Sequence, residues 1–319
     1  KDFGFEDLQI ITDSDLNELN GLFPAFQDDP EQQPDPGDAV AAEIAAAAFQ
    51  RQFGEDEFNR QDIVIGTDPD ADRVGLTIKV PEEQREAYGG KSHVLLDADD
   101  AWTLLLWYRF FRESNSNAGK LRDGDKKFIV LSHITTDALV RLGRKYGVGV
   151  VKTWVGFAMI ANAIQKVWSG HNLDDPEFKD LICTTIDMAG RNINAGALEQ
   201  SNGFSILGGP PVSHGGLGNG GHTRDKDGTF AAILLAEVAA YARSENKTLM
   251  DLLDEHIYLD PEIGYFLTYF EPSPQWGEYK GLEGWTAKIN ILRACVGLHD
   301  AFQAGQPLSF GGVAVKSSE

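Results

Sequence analysis

The sequence has few cysteines, no long apolar run and no leader-like N-terminus. Its two cysteines, Cys183 and Cys295, are too few for a disulfide framework or a cysteine zinc site. No stretch approaches the roughly 18–20 consecutive apolar residues that a membrane span needs, and the opening Lys-Asp-Phe-Gly-Phe-Glu lacks the basic and apolar regions of a secretory signal. We therefore expect a cytoplasmic protein without a membrane partner.

Basic residues are also scarce. The chain has 28 Lys and Arg against 49 Asp and Glu, a formal net charge of −21, and residues 1–60 alone hold fifteen acids and three bases. Such a chain repels the phosphates of nucleic acids and of anionic membranes, so we expect no nucleic-acid partner. A hydrophobic content of 42% is ordinary for a folded globular protein and excludes global disorder.

Hydrophobic periodicity predicts an α/β protein. Residues 1–37 are rich in proline, aspartate and glutamine, which predicts irregular structure, and Asp38 then is a candidate N-cap for a helix over Ala39–Phe53. Strand and helix patterns alternate further on, which is typical of α/β layers with mainly parallel strands. The predicted strands are residues 62–66, 74–80, 93–96, 127–132, 148–152, 181–186 and 312–315, and the predicted helices are residues 98–112, 136–146, 157–168, 229–243, 249–256 and 285–298.

The strongest motif is Gly66-Thr-Asp68-Pro-Asp70-Ala-Asp72-Arg73, directly after a short apolar strand. A curved backbone can turn three carboxylates spaced two residues apart toward one cation. Carboxylate oxygens suit Mg²⁺, and Ca²⁺ or Mn²⁺ could take the same ligands. Asp68, Asp70 and Asp72 are therefore candidate metal ligands. Arg73 adds a planar guanidinium matched to a phosphoryl group, which makes it a candidate catalytic residue for phosphoryl transfer.

Other motifs share part of this pattern. An EF-hand starts with the same spacing of acids but needs Gly at its sixth position and Glu at its twelfth, where this chain has Arg73 and Lys79. An aspartyl-phosphate phosphatase also carries Asp-x-Asp at a strand end, but no downstream acidic pattern supports it. An acidic, solvated turn without a ligand is the remaining structural alternative.

The run from Asp68 to Arg73 after a hydrophobic strand resembles the metal-binding loop of the α-D-phosphohexomutases, which include phosphoglucomutase, phosphomannomutase and a phosphopentomutase-like branch. Further segments resemble this family in the same order along the chain. They are Ser132-His-Ile-Thr-Thr-Asp137 with Arg144-Lys-Tyr-Gly147, Val151-Lys-Thr-Trp-Val-Gly156-Phe157, Arg224-Asp-Lys226-Asp-Gly228, and residues 284–293 and 311–315.

The resemblance implies two layered α/β/α units of the phosphohexomutase type, the first of them incomplete. Residues 1–80 would be the C-terminal part of the family's second domain with the metal loop, residues 81–260 its third domain, and residues 261–319 an extended segment and linker toward a fourth domain. It also implies a phosphosugar substrate. Family members move phosphate within a sugar, as from glucose 1-phosphate to glucose 6-phosphate, by means of a phosphoserine and Mg²⁺.

The resemblance also suggests which residues contact the substrate. Lys226 is the candidate acid/base or phosphate contact, against the alternative of a surface lysine before a helix. The family's sugar loop, Gly-Glu-Glu-Ser, is expected at residues 212–222, where histidines and an asparagine would replace its carboxylates or serve as ordinary polar loop residues. The candidate substrate-binding residues are Gly156, Phe157, His214, Asn219, His222, Arg224 and Lys226.

Two family elements are not found in this sequence. The phosphoserine loop Thr-x-Ser-His-Asn-Pro is absent, and the phosphate loop of the fourth domain would lie beyond residue 319. We therefore expect a fragment or truncated relative of a phosphosugar mutase, inactive by itself, whose missing partners are domains one and four of the same protein. The alternative is a non-catalytic phosphosugar-binding or interaction module derived from the family, which the missing Glu-Glu-Ser pattern favours.

Overall fold

The computed structural model describes residues 4–28, 34–171, 182–186, 188–213, 218–266, 281–310 and 312–316. It divides into two compact units, Lys1–Phe266 and Leu267–Glu319. Helices and sheets alternate in the first unit, so the predicted α/β class is confirmed. The finer division of the chain at residues 80 and 260 stays a prediction.

The first unit contains both larger sheets. Its strands are β1 Ile63–Thr67, β2 Val74–Lys79, β3 His93–Leu95, β4 Lys127–Ser132, β5 Gly149–Thr153, β6 Ile182–Ile186, β7 Ile193–Glu199 and β8 Gly203–Ser205. Its helices are α1 Ser14–Asn17, α2 Ala39–Phe53, α3 Glu55–Arg60, α4 Ala98–Asn115, α5 Ala138–Tyr146, α6 Phe157–Trp168, α7 Gly228–Ser244 and α8 Leu249–Leu253. The second unit has helix α9, Gly281–Gln303, and an antiparallel pair, β9 Ser309–Phe310 and β10 Val313–Ala314.

Local signals fix several helix ends. Asp38 accepts the Val40 N–H at the start of α2, as predicted. Gly147 ends α5 with a φ of 68°, a conformation that glycine adopts without strain. The N-terminal region is less irregular than predicted, because Asp13 caps the short helix α1. None of the described helices is both long and apolar enough to cross a bilayer.

Strand pairing differs from the mainly parallel arrangement predicted. The first sheet, β1-β2-β3, is antiparallel throughout. The second has the order β6-β5-β4-β7-β8, in which β4 pairs in parallel with β5 and β7 while both edge strands run antiparallel. Mainly parallel pairing was predicted for the strands after residue 92, and it holds only for β4 with β5 and β7. Short loops join β1 to β2 and β7 to β8, and a short loop allows only antiparallel neighbours.

The main core joins the small sheet to the helices. Val74, Leu76 and Ile78 of β2 are buried in the same cluster as Trp102 of α4 and Leu235 of α7. Helix α7 packs against β1, β2 and β8. Helix α6 packs against β4, β5 and β7 over a second apolar cluster. This arrangement brings the first turn of α7 to the loop between β1 and β2.

A half-buried acid at the start of α4, Asp100, makes stability depend on pH. Burial raises the pKa of Asp100 to about 6, and the nearby Asp97 and Asp99 add to this although a hydrogen bond with Tyr258 opposes it. Because its ordinary value is 3.8, the folded protein binds this proton more tightly than the unfolded chain does. The Asp100 carboxylate therefore opposes folding above pH 6, and this cost falls as the pH drops toward 4.

Replacing Asp100 with asparagine is expected to raise the free energy of unfolding at pH 8 by about 1–3 kcal/mol. The amide keeps a hydrogen-bond acceptor for Tyr258 but carries no charge to desolvate. Urea denaturation at pH 8 and at pH 5.5 would measure the effect, which should shrink at the lower pH. The exposed Asp125→Asn is the matched control. A gain in Asp100→Asn that is equal at both pH values would contradict the assignment.

Candidate metal centre

The three aspartates lie on the loop that joins β1 to β2. The two strands pair in register up to Thr67 and Val74, so residues 68–73 close the hairpin. Within it, the Ala71 N–H donates to the Asp68 carbonyl at 3.0 Å, and Ala71 has a left-handed φ of 56°. This curvature turns Asp68, Asp70 and Asp72 to one side, where one oxygen from each lies within 4.8 Å of the others.

Asp68 and Arg73 tie the two ends of the loop together. The Asp68 carboxylate is buried and accepts the Arg73 backbone N–H and the Arg73 Nε–H, both at 2.9 Å. Burial by itself would raise the pKa of Asp68, but these hydrogen bonds and the guanidinium charge hold the pKa below its ordinary value. Asp68 therefore favours its ionised form and holds the loop in this structure.

The same guanidinium reaches back to the N-terminal region. Arg73 Nη1 donates to Asp35 Oδ2 at 2.8 Å, and Asp35 also accepts the Gly37 N–H. Arg73 was predicted to bind a phosphoryl group, but in this structure its Nε and Nη1 atoms serve carboxylates of the chain. Its observed role is to hold the loop, and contact with a phosphoryl group stays a prediction.

Lys226 reaches the loop from the segment before α7. Its Nζ atom lies 2.8 Å from Asp72 Oδ2, and both side chains are about three-quarters buried, with 21% and 27% exposed. The aliphatic stem of Lys226 crosses Gly203 of β8, where a Cβ atom would lie 2.7 Å from Lys226 Cδ. Burial and the neighbouring Asp68 raise the pKa of Asp72, although Lys226 pulls it down.

The backbone of α7 also contacts the loop. The Gly228 N–H donates to the Ala71 carbonyl at 3.0 Å, and a Cβ atom at Gly228 would lie 2.3 Å from the Arg73 carbonyl oxygen. Asp227 caps α7 by accepting the Phe230 N–H. The absence of a side chain at position 228 is therefore what allows the loop to rest on the helix.

These contacts leave an open cleft in front of the carboxylates. It is lined by Asp68, Pro69, Asp70, Asp72, Arg73, Ser201 and Lys226. The three loop aspartates and Asp35 carry four negative charges against the two positive charges of Arg73 and Lys226, and this excess favours a cation. Three carboxylate oxygens that converge beside open space fit Mg²⁺, which usually keeps water or phosphate oxygens in its remaining positions.

The predicted substrate-binding residues are only partly near this cleft. Gly156 begins α6 with a φ of 117°, and its N–H donates to Glu199 Oε1 at 3.1 Å. Phe157 is buried in the core beneath α6. His222 Nδ1 lies 2.7 Å from Asp227 Oδ2, and its ring stacks on Phe230 at 4.0 Å. His222 is thus tied to the N-terminus of α7.

The remaining candidates lie in the glycine-rich region. Asn219 is exposed and its carbonyl accepts the Gly209 N–H. Arg224 is exposed on the segment that leads to Lys226. His214 lies outside the described residues, as does the side chain of Cys183. Among these residues, the structure shows only Lys226 lining the cleft.

The turn between β7 and β8 belongs to the site although it was not predicted to. Glu199 is buried at the end of β7, Gln200 Nε2 lies 3.4 Å from the buried Asp99, and Ser201 lines the cleft. A Glu-x-Ser run directly after a strand was the available signal, because it matches the end of Gly-Glu-Glu-Ser with glutamine in place of the second glutamate. The sequence prediction instead placed this loop at residues 212–222.

Comparisons with known proteins point to one group of enzymes. No family model matches the chain. The human phosphopentomutase is 25% identical over 241 residues, and the Pongo abelii phosphopentomutase is 23% identical over 239 residues; each match covers 73% of this chain and 32% of the relative. The mouse phosphopentomutase is 24% identical over 208 residues, covering 65% of this chain and 26% of the relative.

Solved structures give a weaker likeness. A crystal structure from Thermus thermophilus, assigned to the phosphomannomutases, is 25% identical and aligns with a TM-score of 0.35 over 60% of this chain and 30% of its own. That score is too low to support an argument. The chain spans about a quarter to a third of the length of the curated relatives that it matches.

Proposed function

Because the chain is a distant relative of the phosphosugar mutases, we propose that it supplies the metal-binding and phosphosugar-binding part of such an enzyme. The observation that carries the proposal is the meeting of three carboxylates, the Lys226 ammonium and Ser201 in one open cleft. This combination offers a cation site next to donors for an anionic, hydroxylated ligand. The reaction we propose is transfer of phosphate between two positions of a sugar.

Different side chains of the cleft would bind the metal, the phosphate and the sugar. Asp68, Asp70 and Asp72 would hold Mg²⁺, which when bound supplies positive charge beside a phosphoryl group. The Lys226 ammonium would neutralise charge on the phosphate and hold or release a proton there. The Ser201 hydroxyl would orient a sugar hydroxyl through a hydrogen bond, and the buried Glu199 carboxylate, which accepts the Gly156 N–H, would position the turn that carries Ser201.

A relay of phosphate needs a nucleophile that holds it while the sugar turns over. No Ser-His-Asn-Pro run occurs in the sequence, so we propose that another part of the same protein supplies the serine. A non-catalytic phosphosugar-binding module is the second candidate. Gln200 favours it, because a glutamine replaces one of the two carboxylates of the family's sugar loop and is drawn toward Asp99.

Removal of one loop carboxylate tests the cation site. Asp70→Ala is expected to weaken Mg²⁺ binding about tenfold or more, since Asp70 is an exposed member of the three-carboxylate cluster. Calorimetric titration with Mg²⁺ would measure it, with the exposed Asp56→Ala as a control of equal charge change. Equal affinity in Asp70→Ala and wild type would refute the site. Titration with glucose 1-phosphate and ribose 1-phosphate, with and without Mg²⁺, would then test the sugar-phosphate part.

A further inference from the structure

The Asp72 carboxylate is paired in this structure with a cationic side chain of the same chain, Lys226. Lys226 Nζ lies 2.8 Å from Asp72 Oδ2. The oxygens of Asp68, Asp70 and Asp72 that converge lie within 4.8 Å of one another, so an ion that touches all three must also approach Asp72. An ammonium and a divalent ion on one carboxylate repel each other, and more so at a partly buried site. Lys226 and the metal therefore compete.

The stem of Lys226 limits how it can leave. Its Cγ and Cδ atoms lie where a side chain at Gly203 would otherwise stand, so the stem rests against the β8 backbone. The backbone next to it is also fixed, because the Asp227 N–H donates to the Phe204 carbonyl at 2.8 Å. Only the end of the side chain can swing, and it swings within the cleft that Ser201 lines.

We propose that Lys226 is an internal stand-in for the metal, and that Mg²⁺ binding releases its ammonium from Asp72 into the cleft, where it becomes available to a phosphate group. The inference rests on the proposed function and adds its regulation. Without metal, Asp72 and Lys226 neutralise each other and the cleft holds no available positive charge from this pair. With metal, the same lysine strengthens the site for an anion.

Two linked consequences follow. The ammonium on Asp72 Oδ2 repels a metal ion at the same carboxylate, so Lys226 lowers the affinity for Mg²⁺. Because thermodynamic coupling is reciprocal, Mg²⁺ should raise the affinity for phosphate by the same factor by which phosphate raises the affinity for Mg²⁺. Direct contact between metal and phosphate contributes to this coupling as well. Substitution of Lys226 should remove only the contribution that depends on its ammonium.

Calorimetry with Mg²⁺ and inorganic phosphate tests the competition. Lys226→Met keeps the apolar stem of the side chain without its charge. This variant is expected to bind Mg²⁺ about tenfold more tightly than wild type. The factor by which Mg²⁺ and phosphate raise each other's affinity should decrease. Lys91→Met is the control, since Lys91 is an exposed lysine that pairs with Glu43 and its loss changes the net charge equally. Its Mg²⁺ affinity should match that of wild type.

A second measurement observes the lysine in the wild-type protein and uses a charge-conserving variant only to assign its signal. Reductive ¹³C-methylation of the wild-type lysines gives one NMR signal per side chain, and the Lys226 signal, assigned by its absence in Lys226→Arg, should shift when Mg²⁺ is added. The competition would be overturned if Lys226→Met bound Mg²⁺ no more tightly than wild type, or if the Lys226 signal did not shift on addition of Mg²⁺. In either case, Mg²⁺ binding by the wild type would still support the cation site. If wild type binds no Mg²⁺, the proposed function and this inference both fail.

Discussion

Replacement of Gly228 with alanine is expected to destabilise the protein by about 1–3 kcal/mol and to weaken Mg²⁺ binding at the aspartate loop. The new Cβ atom would lie 2.3 Å from the Arg73 carbonyl oxygen and 2.9 Å from the Ala71 carbonyl oxygen. Both atoms are backbone of the loop, so the loop must move away from α7. Alanine is the better helix former by up to about 1 kcal/mol, but a clash with backbone on two sides outweighs this preference.

Displacement of the aspartate loop would change its contacts with α7 and with Lys226. It breaks the hydrogen bond from the Gly228 N–H to Ala71, and it moves the loop relative to Lys226, two residues before Gly228. Thermal unfolding and calorimetric Mg²⁺ titration would measure the two effects. Gly66→Ala is the matched control, because a Cβ atom there meets no atom within 4 Å although the residue lies in β1, two residues before the same loop. Equal stability and Mg²⁺ affinity in the two variants would contradict the packing argument.

The sequence was most informative where structure is local. The convergence of Asp68, Asp70 and Asp72 follows from their spacing on one curved loop, and the caps at Asp38 and Asp227 follow from residues within the same turn of chain. These features depend on a few consecutive residues. Hydrophobic periodicity predicted the α/β class. The spacing of three aspartates after a strand predicted the candidate cation site.

The partners of the loop could not be predicted in this way. Arg73 donates a hydrogen bond to Asp35, which lies 38 residues earlier in the sequence. Asp72 pairs with Lys226, which lies directly before α7. Only the packing of α7 against the small sheet brings these groups together. The role of Glu199 was hidden for a similar reason, since its contact with Gly156 joins the ends of two strands that are not sheet neighbours.

Asp68 and Asp70 are expected to differ sharply in what they do for stability although both belong to the proposed cation site. Asp68→Ala should lower the free energy of unfolding by about 2–3 kcal/mol in metal-free buffer, because the part-buried Arg73 N–H and Nε–H both lose their acceptor and the guanidinium keeps only Asp35 as a hydrogen-bonded partner. Asp70→Ala removes an exposed carboxylate and should change stability by no more than about 0.5 kcal/mol.

Urea denaturation in the presence of EDTA would compare the two variants with wild type. The pKa of Asp68 is held below its ordinary value of 3.8, so its contribution is complete above that pH and is lost as the pH falls through the lower folded-state value. Wild type and Asp68→Ala should therefore converge in stability at acidic pH and differ fully at pH 7. Both variants should bind Mg²⁺ more weakly than wild type. If Asp68→Ala were as stable as Asp70→Ala at pH 7, the Asp68–Arg73 pair would not hold the loop, and the geometry of the cation site would need another explanation.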